Sequence, residues 1–574
     1  MLERLNTDIL ILGSGGAGLF AALHAQQANA DLDIAIASKG LLGKCGCTRM
    51  VQGGYNVALN PGDSVERHFM DTIEGGKWLP NQNMAWTLVT KAIERVQELE
   101  NEVGCFFDRN PDGTLHGKAF AGQTFDRTVH KGDLTGIEII SRLMEQVWAR
   151  PIRRLEEHRA VALIPSADRQ AIAGVLCIDM RSGEFRFIAA RAVLLATGGG
   201  PTMYRYHTPS GDKSMDGLAM ALRLGLPLRD MEMVQFHPTG LLAGPDTRMT
   251  GTVLEEGLRG AGGHLINGRG ERFMLGRDPR AERATRDFVS RAIYEEMRAG
   301  RTTANGGVYL RMAHLGPDHV ARAFKGMVER CADCGFDLAG GSVEVVPTAH
   351  YHMGGVICAV DTTSELPGLF VAGEDAGGAH GANRLGGNGV ANSTVFGGIA
   401  GDSMAAWLPG RGAPAPPDAA VLEFELARAV QPFARPAGDL NRLRERLLDV
   451  MWDDVGVIRN AAGLARGRAA IDELEAELLA TGLSDGERAF NATWHDWLNL
   501  RSLIEVSRVI AAAAQQRENS RGAHFREDFP QEGDLESSAF TVVRQRAETL
   551  TVTAEPVEFT IVRPGESLLK AAAE

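Results

Sequence analysis

His350, His380 and Arg384 fall on glycine-supported turns in residues 347–388, which run from PTAHYHMGG through GLFVAGE to HGANRLGGN. Side chains of these types suit a small carboxylate. The imidazoles offer neutral or cationic donors, and the planar fork of an arginine grips a carboxylate through two parallel bonds. Glycines on either side let backbone come close to a flat ligand. On these residues alone, a tight turn with internally bonded histidines explains the pattern as well as an anion site does.

Elements that could position such groups begin near the N-terminus. Residues 8–39 read as strand, glycine turn, helix and second strand: DILIL, GSGGAG, LFAALHAQQ and DIAIASK. Gly13, Gly15 and Gly18, with Gly16 between them, match the spacing of a dinucleotide turn. There one glycine makes the bend, one admits a pyrophosphate and one lets the helix close on the strand. Ser38 and Lys39 end the second strand where many such folds carry an acid for the adenosine ribose, which argues against NAD. RAVLLATGGG (191–200) and GLFVAGE (368–374) are two more short β runs ending in glycine. Distant strands of one parallel sheet would bring all three loops to one cofactor edge, and FAD is long enough to need them.

At 574 residues the chain exceeds one compact core. Its formal net charge of −13 disfavours nucleic acid as a partner, so an anionic substrate must be held by local cations. The first strand begins at Asp8, which leaves no room for a leader peptide, and no apolar run reaches the roughly 18 residues of a membrane span. A cytoplasmic protein without a direct membrane span is expected. Seven cysteines do not form a secreted disulfide framework, and the Cys331/Cys334 pair lacks a second pair at zinc or cluster spacing, so no metal site is expected.

The predicted fold class is α/β. A Rossmann-like FAD-binding domain (1–235 plus 350–415) carries an inserted α+β capping domain (236–349). After the linker LPGRGAPAPPDAA come a C-terminal helical bundle (416–535), read from apolar residues at three and four spacing, and a β-rich tail (536–574).

In chain order the motifs are GSGGAG, CTRMVQGG, R(x)5DLTG, ATGGG, QFHPTG, EEGLRG, RDFVSR, PTAHYHMGG, VAGE, HGANRLGGN and RENSRGAHFREDFP. With these the chain resembles the succinate dehydrogenase, fumarate reductase and L-aspartate oxidase flavoprotein family over nearly its whole length. The resemblance implies hydride transfer between flavin N5 and a small carboxylic acid. Substrate binding falls to His237, Glu255, His350 and Arg384, and proton exchange to Arg286 with Glu256 and Arg259 as its relay. Arginine is an odd acid, always charged at ordinary pH, so it needs a relay that returns the proton at once. Implied cofactor contacts are Gly13, Gly15, Gly16, Gly18, Ser38, Lys39, Cys47, Thr48, Gly53, Gly54, Asp133, Thr135, Thr197, Gly198, Glu374 and Asn388. Asp133 and Glu374 would accept from ribose or ribityl hydroxyls, and the helix opening at Asn388 would aim its positive end at the flavin.

The match breaks at two places. Membrane-complex members of the family bond FAD through a histidine before the threonine of the HTxxxQGG-like run, but here Cys47 precedes Thr48. Noncovalent FAD is expected, with a cysteinyl link through Cys47 a minor alternative. The family's TEG is here Leu254-Glu255-Glu256-Gly257, which turns an acid towards the distal substrate carboxylate. Either Glu255 is protonated, or the distal group is not a carboxylate, or Glu255 pairs with Arg248 or another cation. His352, where many members have a small residue, is a second possible change.

The leading functional expectation is a succinate/fumarate-type flavoprotein exchanging electrons with an iron–sulfur or other redox subunit. The alternatives are a stand-alone oxidase like L-aspartate oxidase and a non-catalytic FAD-bound assembly protein.

Overall fold

The structure is a computed structural model and describes residues 2–244, 247, 249–547 and 549–569. Its centre is a seven-stranded sheet. β1 (Glu3–Leu12) lies between β2 (Ile34–Ser38) and the strand Phe185–Leu195, parallel to both, and Leu369–Val371 joins the C-terminal half of Phe185–Leu195 in the same sense. Because these four strands run parallel, the loops after Leu12, Ser38, Leu195 and Val371 all leave from one edge. The antiparallel strands Ile172–Asp179 and His158–Pro165 extend the sheet.

The central strands read as continuous apolar runs because both faces are covered. Ile9, Ile11, Ile34 and Ile36 enter a core shared with α1 (Gly16–Ala28) and the helix Asn388–Trp407. Leu10, Leu12, Ala35 and Ala37, alternating with them, enter a second core that continues into the C-terminal helices.

A four-stranded antiparallel sheet, ordered Val234–Leu241, Ser342–His352, Val308–Arg311 and His264–Ile266, forms the cap. It has its own apolar core with the helix Arg286–Arg298. The pairing of its first two strands slips between Gln235 and Phe236 and again between His237 and Gly240. Such bulges re-aim side chains, and these two flank Gln235 and His237.

The helices Ala419–Val430, Leu440–Asp453, Ala461–Ala480 and Ala492–Gln516 follow. Each opens with Asp or Asn accepting a backbone N–H of its first turn: Asp418 from Val421, Asp439 from Arg442, Asn460 from Gly463 and Asn491 from Trp494. Trp494 and Trp497 are fully buried between them. The strands Ala539–Arg546 and Thr549–Pro556 then form a hairpin that pairs with Leu228–Arg229. Among the described residues no helix is long and apolar enough to cross a membrane.

Candidate active site

One cavity of about 520 Å³ runs from the sheet edge to the underside of the cap. At one end it is lined by the Gly13–Gly16 turn, Ser38, Lys39, Cys47, Thr48 and Thr197–Gly199. At the other it is lined by His237, Glu255, Glu256, Arg286, His350 and Arg384, with Gly53, Gly54 and Glu374 between. The dinucleotide turn and the cationic cluster thus share one space, although the sequence scatters them over some 370 residues.

At the sheet edge Gly13 adopts φ 111°, and a Cβ on it would stand 2.1 Å from the Ala196 carbonyl oxygen. Only glycine lets the first turn lie against the neighbouring strand's loop. Lys39 is spent inside the protein, donating to Asp216 at 2.9 Å, Ser214 at 3.0 Å and Asn499 at 3.1 Å. Asp375 accepts from the hydroxyl and N–H of Thr197 and from the N–H of Gly198, shaping the second loop. Glu374 accepts the His352 N–H at 2.9 Å. Burial pushes both Glu374 and Asp375 upward, Asp375 to about 7.

Cys47 is a neutral thiol: burial, then the charge of Glu374, push it up to about 12. A thiol so held is a poor nucleophile.

Under the cap, Arg286 is the first residue of its helix, an end where the backbone dipole disfavours a cation. Glu256 offsets this. Arg286 Nη2 donates to Glu256 Oε2 at 2.7 Å and Nε reaches the same carboxylate at 3.1 Å. Behind it, Arg259 Nη2 donates to Glu256 Oε1 at 2.7 Å, and Arg259 Nη1 to the Glu282 carbonyl at 2.6 Å. Burial opposes ionisation of Glu256, but Arg286 and Arg259 together hold its carboxyl below the usual range. A Cβ on Gly386 would lie 2.3 Å from Glu256 Oε2, so the RLGG turn passes directly over this pair.

His237 Nδ1 accepts the Thr239 N–H at 3.3 Å, which leaves Nε2 as the donor. His350 Nδ1 lies 2.8 Å from the Thr208 hydroxyl. Burial, then the Arg286 charge, hold both rings well below the ordinary histidine value, so both are neutral. Arg384 lies 4.5 Å from the Tyr351 ring, and its Nη1 donates to the Leu385 carbonyl at 3.2 Å. Among the described residues its Nε has no partner although it is buried, and the Gln52 Oε1 atom is likewise unpaired. Buried polar atoms of this kind normally have partners. Both residues line the cavity, as expected of a site built to receive polar ligand atoms.

Several sequence expectations fall elsewhere. Arg259 does not line the cavity and reaches it only through Glu256. Gly18 packs on the Gly13 carbonyl without reaching the cavity. Asp133 also stands off it, against Gly326 on the helix Lys325–Asp333. Thr135 supports the Gln52–Gly54 turn from behind, its hydroxyl accepting from the Lys131 N–H and facing the Gln52 carbonyl. Asn388 opens its helix as expected, but its side chain is buried beneath the cavity among Asn56, His68 and Thr72, while Gly387 and Gly389 on either side do line it. His380 is a buried neutral ring beside the Tyr351 hydroxyl, 3.3 Å away. His352 does not alter the pocket, because its ring nitrogens face the Gly354 and Met231 carbonyls. Glu255 pairs with Lys118, 3.2 Å away. Arg248 lies outside the described residues.

Sequence reasoning missed Gln235, which accepts from Arg286 Nη1 at 3.0 Å and donates to the Arg384 carbonyl at 2.7 Å. It also missed Tyr351. Both stand inside motifs already singled out, QFHPTG and PTAHYHMGG, beside the histidines that drew attention.

A family model described as FAD binding domain matches residues 8–390, and one described as Fumarate reductase flavoprotein C-term matches residues 444–568. The chain is 38% identical to a fumarate reductase (CoM/CoB) subunit of Methanothermobacter marburgensis over 536 residues, 92% of this chain and 95% of that one. It is 34% identical to the fumarate reductase flavoprotein subunit of Mycobacterium tuberculosis, over 97% of this chain and 98% of the relative. Among solved structures, a quinol fumarate reductase FrdA chain of E. coli superposes with TM-score 0.91 at 32% identity, covering 98% of this chain and 99% of that one.

Proposed function

This chain belongs to the fumarate reductase and succinate dehydrogenase flavoprotein family of FAD-dependent oxidoreductases, and we propose that it interconverts fumarate and succinate as the flavoprotein partner of a redox subunit. The single cavity joining the dinucleotide turn to the Arg286–Glu256–Arg259 chain carries this reading.

FAD held along the glycine loops would, once reduced, supply the hydride. The chain's own residues do the rest. Arg384, with its unpaired Nε, and the neutral donors His237 and His350 bind one substrate carboxylate. They thereby favour the charge that builds on it as the neighbouring carbon is attacked. Arg286 holds the proton for the other carbon. Its Nε and Nη2 face Glu256, so a proton that leaves Arg286 is replaced through Glu256, which takes one in turn from Arg259 at its other oxygen.

The relatives named as subunits support an electron-transferring partner. The test is anaerobic and has two arms: dithionite-reduced holoenzyme is mixed with fumarate and other unsaturated acids, and oxidised holoenzyme with saturated acids and amino acids. Reoxidation of the flavin by fumarate is expected. Reoxidation by no unsaturated acid, together with flavin bleaching by L-aspartate, would instead mark an amino acid oxidase. No response to any acid would mark an assembly protein.

A further inference from the structure

We propose that Glu255 receives the second carboxylate of the substrate and takes up a proton from solvent as it does so, which ties diacid affinity to pH. The inference rests on the fumarate/succinate reading above.

Glu255 is 2% exposed and lines the cavity beside Glu256, yet the two carboxylates are held differently. Glu256 has two arginines on it. Glu255 has one lysine, Lys118 of the short strand Gly117–Lys118, whose ammonium also donates to the Gly132 carbonyl at 2.7 Å. Only Oε2 of Glu255 is engaged; among the described residues Oε1 has no hydrogen-bond partner. The other charges facing Glu255 are Arg330, from the helix Lys325–Asp333, and Asp133, from the loop before the helix Thr135–Trp148. Arg330 is partly committed to the Val253 carbonyl at 3.3 Å, and Asp133 is a like charge.

With Arg384, His237 and His350 at one substrate carboxylate, a diacid extends its other end along the cavity wall that Glu255, Thr252 and Arg330 complete. Two carboxylates would then share the Lys118 charge, with Glu255 almost wholly withdrawn from bulk water. Like charges so placed do not both stay ionised. The substrate's second carboxyl is a weak acid much like a glutamate side chain, so the pair holds one proton between them. Burial places it on Glu255, pushing that carboxyl upward against the pull of Lys118. Protonated Glu255 becomes an O–H donor to the incoming carboxylate, a short charge-assisted bond where there was repulsion.

The experiment measures kcat and KM of the holoenzyme for fumarate and for fumaramate, its monoamide, between pH 5.5 and 9. For fumarate, KM should rise with pH towards tenfold per unit, while for fumaramate, which brings no second charge, it should stay level. Glu255→Gln should flatten the fumarate profile. Lys118→Met should move the rise to higher pH, because a carboxyl without its cation keeps its proton longer. The proposal is overturned if fumarate and fumaramate show the same slope, or if Glu255→Gln keeps the wild-type profile. Should Glu255→Gln not fold, the fumaramate comparison and Lys118→Met decide alone. A flavin that no unsaturated diacid reoxidises defeats the functional reading itself, an outcome distinct from turnover with a level fumarate profile.

Discussion

Arg286 and Glu256 meet side-on, two guanidinium nitrogens on one carboxylate at 2.7 and 3.1 Å, with both side chains almost wholly closed to solvent. A buried ion pair of this quality contributes little net stability over an apolar pair, but breaking it is costly. Its retention at this place is therefore a matter of chemistry more than of folding.

Arg286→Ala should lower kcat by about 10²–10⁴, the range of a lost acid–base group, while the purified protein keeps its flavin absorbance. Glu256→Gln should lower kcat within the same range and also destabilise the protein, by about 3–5 kcal/mol, because two buried arginines lose their counter-charge. Steady-state rates and thermal melts of the two variants separate the effects. Full activity in Arg286→Ala would remove the mechanism.

Gly386→Ala tests the relay without replacing a charged residue. The added methyl must displace Glu256 Oε2, the Phe120 ring or Arg286 Nη2, which lie 2.3, 2.6 and 3.0 Å from its position. Turnover should fall by at least about tenfold with flavin content unchanged, since a misplaced donor loses its alignment. An active Gly386→Ala enzyme would show that this turn tolerates movement.

Cys47 should leave the flavin free. Acid precipitation should release all yellow colour into the supernatant, and Cys47→Ser should behave identically. Colour retained in the wild-type pellet and lost in the variant would establish a thioether link despite the raised thiol pKa.

Acid should weaken the fold early. His495, whose two ring nitrogens have no partner among the described residues, is held to about 3 chiefly by burial, and burial likewise lowers His68 and His380 to about 3. A histidine whose folded pKa is depressed takes up its proton in the unfolded chain first. Its contribution is intact above about pH 6.5 and is lost as pH falls from there towards 3, at about 1.4 kcal/mol per unit for each such ring. Melting temperature should therefore fall steadily between pH 7 and 5, and less steeply in His495→Phe. An unchanged slope in that variant would show that the unfolded state does not protonate this ring.

Much of the site is legible in the sequence because its parts are rare residue types on short glycine turns, and such turns constrain their own geometry. His237, Glu256, Arg286, His350 and Arg384 stand together as their motifs imply. What escaped depends on contacts that no local pattern encodes. The cation for Glu255 comes from Lys118, 137 residues earlier, on a strand two residues long. Asp133 and Asn388 show the converse: each stands beside the expected backbone, but its side chain turns away from the cavity to serve another element. Gln235 shows a third limit, since its neutral amide becomes important only once Arg286 and Arg384 are known to lie on either side of it.

The long helix Ala492–Gln516 places Asn499 where its single amide oxygen steadies Lys39, Arg159 and Ser214, at 3.1, 2.7 and 3.0 Å. The nucleotide end of the cavity thus leans on a residue laid down long after the nucleotide-binding stretch has left the ribosome. A fragment ending after residue 407 would carry every glycine of the coenzyme cradle yet leave Lys39, Arg159 and Ser214 without that brace.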